Sequence, residues 1–211
     1  MRAVHQHVRI RGPRLGRLPE RFGPADRVTL ARAVLTGGVA ALTAASFVAR
    51  PAQLTALVTV LVCTATVALV LDWVDGQVAR RTGTASEFGA AFDMEVDAAL
   101  VLVLSVFVAR WAGPWVLLAG TARYLLLVAG WRWPWLNGPM PERYWAKAVA
   151  ATQGIVLVVA AADVLPRPVA LVALVAALLL LAASFGHQVW WLRRSRDAVT
   201  AATIAHERVA A

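Results

Sequence analysis

The chain has 211 residues, 60% of them hydrophobic and only 16% charged, with a mean hydropathy of +0.65. Twenty-one Lys and Arg against twelve Asp and Glu still leave a formal net charge of +9. So apolar and so basic a composition excludes an ordinary soluble domain and a single inert anchor, and predicts a multi-span membrane protein with a cationic face.

A basic arm, residues 1–25, comes first. It holds no short apolar core followed by a small-residue cleavage site, so it is not a signal peptide. It reads either as an interfacial arm drawn to anionic lipid or as a solvated tail that sets topology. Apolar runs follow at 33–49, 51–71, 98–109, 111–131, 148–162 and 168–192, the fourth interrupted by Arg123. They predict an all-α integral membrane protein with six transmembrane helices, one membrane domain over 26–195 and a cytoplasmic tail over 196–211. The second and sixth runs are long enough alone. The third suffices only if its helix starts near Phe92 and carries acidic residues at its mouth. Continuous runs of Leu, Ala and Val without alternation exclude a β-barrel.

Seventeen of the Lys and Arg residues precede the first run, follow the second, surround the fourth-to-fifth connection or follow the sixth. Three, Arg50, Arg110 and Arg167, fall on the other side. The positive-inside rule therefore places both termini and the two longer internal loops in the cytoplasm. Most of the nine Trp lie near run ends, as interfacial anchors do. Cys63 is the single cysteine and the four His are scattered, so disulfides, zinc sites and paired-thiol chemistry are not expected.

Six of the twelve acids, Asp72, Asp75, Glu87, Asp93, Glu95 and Asp97, crowd into 26 positions between the second and third runs. On helices, Asp72 and Asp75 are about 60° apart, and Asp93 and Asp97 about 40° apart, so each pair shares a face. Glu95 points about 200° away from Asp93 and stands outside the set. If the two helices pack as an antiparallel pair, four carboxylates converge at the membrane edge. They repel one another, and Asp72 and Asp75 also meet the negative end of a helix dipole, so a cation is required there. Oxygen ligands without His or Cys suit Mg²⁺ or Mn²⁺. Charged groups at such positions are costly unless they serve a function.

From Asp72 the sequence reads DWVDGQVARRTGTASEFGAAFDMEVD, or D-x2-D-G-x2-A-R-x8-G-x3-D-x3-D. In residues and spacing this resembles the signature of the CDP-alcohol phosphotransferase superfamily. The resemblance implies six helices with a cytoplasm-facing active site, and transfer of a phosphatidyl or similar group from a CDP-linked donor, such as CDP-diacylglycerol, to an acceptor hydroxyl with release of CMP. It implies that Asp72, Asp75, Asp93 and Asp97 bind two divalent cations, that catalysis rests on Asp93 and Asp97, and that Asp97 is the general base. Gly76, Ala79, Arg80 and Gly89 would contact the nucleotide donor. A homodimer in the lipid bilayer is also implied, with no nucleic-acid partner.

Before the first run, PADRVTLAR at 24–32 resembles the N-x2-T-x2-R found in many family members near the nucleotide, matched at Thr29 and Arg32 with Asp26 in place of Asn. Asp26 and Thr29 thus read as donor contacts, or as caps of a helix start. For the acceptor, Arg123 lies inside the fourth run and needs a polar cavity or an acidic partner. Arg143 and Lys147 share one face at the start of the fifth run, either to bind an acceptor phosphate or to hold the loop inside. Ala146, Lys147 and Gln153 occupy the spacing of the phosphatidylglycerophosphate synthase pattern G-K-x-K-T-x2-Q, with Val149 and Ala150 in place of its second Lys and Thr, and this with the TLAR start leans toward glycerol 3-phosphate as acceptor. PERY at 141–144 looks equally like phosphatidylinositol phosphate synthases. A divalent-cation transporter is the competing class, disfavoured because the acids sit at one face and Arg80 is a poor neighbour for a permeating cation. An inactive membrane subunit would have lost aspartates, and none is missing.

Overall fold

A computed structural model describes residues 24–82, 87–133, 135 and 144–210. The basic arm through residue 23, and Arg143, lie outside the described residues. The described chain forms six α-helices and no strand: α1 (Pro24–Ser46), α2 (Pro51–Thr82), α3 (Glu87–Ala112), α4 (Leu117–Arg132), α5 (Tyr144–Ala161) and α6 (Arg167–Ala210).

Proline sets several of the boundaries. Pro24 and Pro51 open α1 and α2, where a missing N–H costs nothing and the fixed φ suits a helix. One of the expected boundaries moves. The run 111–131 is divided, because α3 continues through Ala112 and stops at Gly113, whose φ of 106° favours glycine. Pro114–Val116 then forms a 3-10 turn that starts α4. At the other end, α6 continues as helix through Ala210, past the apolar stretch that ends at Arg194. Asp163, with φ 51°, makes the left-handed turn after α5, a conformation Asp tolerates better than most side chains.

Four segments are long and apolar enough to cross a membrane: Val28–Ser46, Pro51–Val74, Pro114–Arg132 and Arg167–Arg194. Lys147–Ala161 is a shorter apolar helix. Helix α3 falls outside this set because its first half carries Asp93, Glu95 and Asp97. Large apolar side chains such as Val70, Val128, Val172 and Leu179 stay exposed on the helices, which suits contact with lipid. Exposed Trp73, Trp131, Trp133 and Trp190 lie near the ends of the apolar stretches of α2, α4 and α6, and Trp145 at the start of α5.

The core joins Val39 of α1, Leu61 and Ala65 of α2, Leu100, Leu104 and Val108 of α3, and Leu157 of α5. Helix α1 packs along both α2 and α3, whereas α2 and α3 share little direct contact among the described residues. The expected antiparallel α2–α3 pair is therefore replaced by an arrangement in which α1 joins the two. Uniformly apolar helices offer no stripe to choose a partner, and the polar face of α1 makes the choice. Thr29, Arg32, Thr36 and Thr43 are all buried on that helix. At its far end, Ser46 Oγ accepts from Arg110 Nη1 at 2.6 Å, and the Arg110 guanidinium lies 4.9 Å from the Phe47 ring centre. Arg32 and Arg110 thus tie α1 to α3 at both ends, which requires the two helices to run in the same direction.

Close backbone approach fixes α4. A Cβ on Gly120 would stand 2.6 Å from Leu102 Cα of α3, a backbone atom that cannot step aside. On Gly154 of α5 it would meet Leu69 Cδ2 of α2 at 2.8 Å, the mobile end of a side chain. Gly120→Ala is expected to destabilise the protein by about 1–3 kcal/mol. Gly154→Ala should cost less, and thermal melts of the two variants in one detergent check the order.

Candidate functional site

The acid-bearing ends of α2 and α3 meet the start of α1. Asp72 lies near the end of the apolar stretch of α2, and Asp93 and Asp97 lie one turn apart on α3. One carboxylate oxygen from each of the three comes within 4.8 Å of the others. The cation among them is Arg32 of α1. Its Nη1 donates to Asp93 Oδ1 and stands 3.0 Å from Asp72 Oδ1, while its Nη2 donates to Asp97 Oδ1. Its Nε is buried with no hydrogen-bond partner among the described residues. The arginine is 1% exposed and the three aspartates 34%, 34% and 36%. The guanidinium therefore forms a floor beneath carboxylates that open outward.

Three negative charges and one positive leave a formal charge of −2 in a site of oxygen donors. That set fits a hard divalent cation in ligand type and in charge.

Arg32 closes the N-x2-T-x2-R resemblance near the nucleotide, and its place among the three aspartates goes beyond that reading. It is also one of the eight arginines before the first apolar run. The T-x2-R spacing from Thr29 was the available signal. Helix α1 begins at Pro24, so Asp26 and Thr29 lie within the helix, and Thr29 is buried on the face that carries Arg32.

The other expected site residues divide by place. Asp75, Gly76, Ala79 and Arg80 lie on the last turns of α2, as Gly89 does on the first turn of α3. The side chains of Asp26, Asp75, Ala79 and Arg80 are outside the described set. Lys147, exposed on the first turn of α5, is close enough to act electrostatically on Asp93. Arg123 of α4 pairs with Glu95, on the side of α3 away from Asp93 and Asp97, so the ion pair supplies the acidic partner its depth demanded. Gln153 does not face the acids. It is 3% exposed, and its Nε2 donates to the Ala177 carbonyl, tying α5 to α6.

Residues 24–192 match the family described as CDP-alcohol phosphatidyltransferase, a span that includes the whole acid cluster and Arg32. No curated protein and no solved structure matches the chain.

Proposed function

The chain belongs to the CDP-alcohol phosphatidyltransferase family, and we propose from that premise that it moves a phosphatidyl group from a CDP-diacylglycerol-type lipid to a small polar alcohol, releasing CMP. The observation that carries this reading is the meeting of Asp72, Asp93 and Asp97 within 4.8 Å inside the matched span. The family is known for divalent metal use. Here Asp72, Asp93 and Asp97, with Asp75 one turn along α2, would hold two Mg²⁺ or Mn²⁺ ions. Bound there, the ions would neutralise the donor diphosphate and the charge developing on the leaving CMP.

The chain's own residues do the rest. The Asp97 carboxylate takes the proton of the acceptor hydroxyl. The acceptor oxygen bonds to the phosphorus that carries the lipid, the bond from that phosphorus to the CMP oxygen breaks, and CMP leaves with the electron pair. No enzyme nucleophile enters. Gly76, Ala79, Arg80, Gly89, Asp26 and Thr29 would receive the nucleotide, the glycines by allowing backbone to approach it and Arg80 by binding phosphate. Lys147, Arg143 and Arg123 would bind an acceptor phosphate. Lys147 has the strongest support through its action on Asp93, while Arg123 would have to share its guanidinium with Glu95.

All six helices would cross the membrane with both termini cytoplasmic, and the active site would open to the cytoplasm. The exposed Trp residues near the acid end suit a membrane–water interface, and the surplus of Arg there suits the cytoplasmic side. The protein would work as a homodimer in the membrane. Glycerol 3-phosphate is the favoured acceptor, on the TLAR start and on Lys147 with Gln153 at the spacing of phosphatidylglycerophosphate synthases; inositol phosphate is the second choice.

The test offers purified protein CDP-diacylglycerol and Mg²⁺ or Mn²⁺ with glycerol 3-phosphate, inositol 1-phosphate, inositol or serine in separate reactions, and identifies the lipid product by mass spectrometry. A phosphorylated acceptor should give product and its unphosphorylated counterpart none. Product from inositol or serine alone would overturn the assignment of Lys147 to a phosphate.

A further inference from the structure

We infer that Arg32 is a positioning residue for the metal ligands. It stays at the floor of the site, grips one oxygen of each of Asp72, Asp93 and Asp97, and leaves each carboxylate's second oxygen for a divalent cation. The inference rests on the metal role proposed above and assigns to α1 a part in building that site.

Three observations carry it. The first is the contrast in burial. Arg32 is 1% exposed while its partners are about a third exposed, so a cation arriving from outside meets the carboxylates before it meets the guanidinium. The second is the pattern of contact. Arg32 meets each aspartate through its Oδ1, and metal-ligating carboxylates are commonly held by such outer hydrogen bonds. The third is topology. Helices α2 and α3 share little direct contact, and among the described residues Arg32 is the ion-pair partner common to Asp72 on one and to Asp93 and Asp97 on the other. Without it, three like charges have no fixed reason to stay within 4.8 Å.

The chemistry of arginine suits the task. Its planar fork presents several donors in fixed directions, so Nη1 can serve Asp72 and Asp93 while Nη2 serves Asp97. Lysine would keep the charge but places it at a single point and cannot reproduce the three-way grip.

The experiment measures Mn²⁺ binding to the full-length protein in detergent by loss of the free-ion electron paramagnetic resonance signal, for wild type, Arg32→Gln and Arg32→Lys. Circular dichroism follows helix content. Both variants are expected to bind Mn²⁺ about 10–100-fold more weakly than wild type with helix content retained. Wild-type affinity in Arg32→Lys would mean that charge alone matters, and would overturn the inference while leaving the metal site standing. Tighter binding in either variant would overturn it too, by making Arg32 a competitor of the metal. If Arg32→Gln does not assemble, the lysine variant decides alone. A wild-type protein that takes up no Mn²⁺ would sink the metal reading itself and this inference with it, an outcome distinct from the others.

Discussion

Asp97→Asn is expected to lower CMP formation by about 10²–10⁴-fold, the range usually lost with a general base. At about 1.4 kcal/mol per factor of ten, that is about 3–6 kcal/mol of transition-state stabilisation. Asn keeps the shape of the side chain and can still accept from Arg32 Nη2 through its carbonyl oxygen, so the floor of the site survives in part. It cannot take a proton from an acceptor hydroxyl, and it removes one negative charge from the −2 that Asp72, Asp93 and Asp97 hold against Arg32. The loss should appear in kcat, with the melting temperature little changed. A variant that turns over at wild-type rate would remove Asp97 from the chemistry and shift the role of base to Asp93 or to solvent.

The second large effect is metal removal. Chelation with EDTA is expected to bring CMP formation down to background, and excess Mg²⁺ or Mn²⁺ to restore it. The donor diphosphate carries negative charge into a site whose own carboxylates outnumber its guanidinium three to one. Donor and site repel one another until divalent cations lie between them. Helix content should survive chelation, because Arg32 holds the three aspartates together by itself and Arg110 with Ser46 anchors the far end of the same helices. Turnover that persists at full rate in EDTA, after dialysis, would contradict the metal assignment.

Much of this protein can be read from its sequence because its strongest signals are local. Apolar runs mark the helices, although the break at Gly113 and Pro114 inside the run 111–131 escapes them, and the spacing of Asp72, Asp93 and Asp97 fixes which carboxylates can share a face. The setting apart of Glu95 follows from the same 100° per residue, and its pairing with Arg123 agrees with it. Lateral packing is harder to read. Helices apolar on every side carry no stripe that says which neighbour they meet. The sequence therefore suggests that α2 and α3 pair directly because they are consecutive, whereas α1 joins them. The role of Arg32 is hidden for a related reason, since the T-x2-R spacing points to the nucleotide and says nothing of the acids until the fold buries the arginine among them. Gln153 shows the reverse case, a polar residue at a motif-like spacing whose partner is a carbonyl of α6.

The most direct test of the central claim is release of CMP from CDP-diacylglycerol by the purified protein in detergent, with Mn²⁺ or Mg²⁺ and glycerol 3-phosphate supplied. The account predicts CMP and a new phospholipid in equal amounts, both dependent on the metal and both lost in Asp97→Asn. No CMP with any hydroxyl acceptor, while another enzyme of the family works in the same assay, would contradict it.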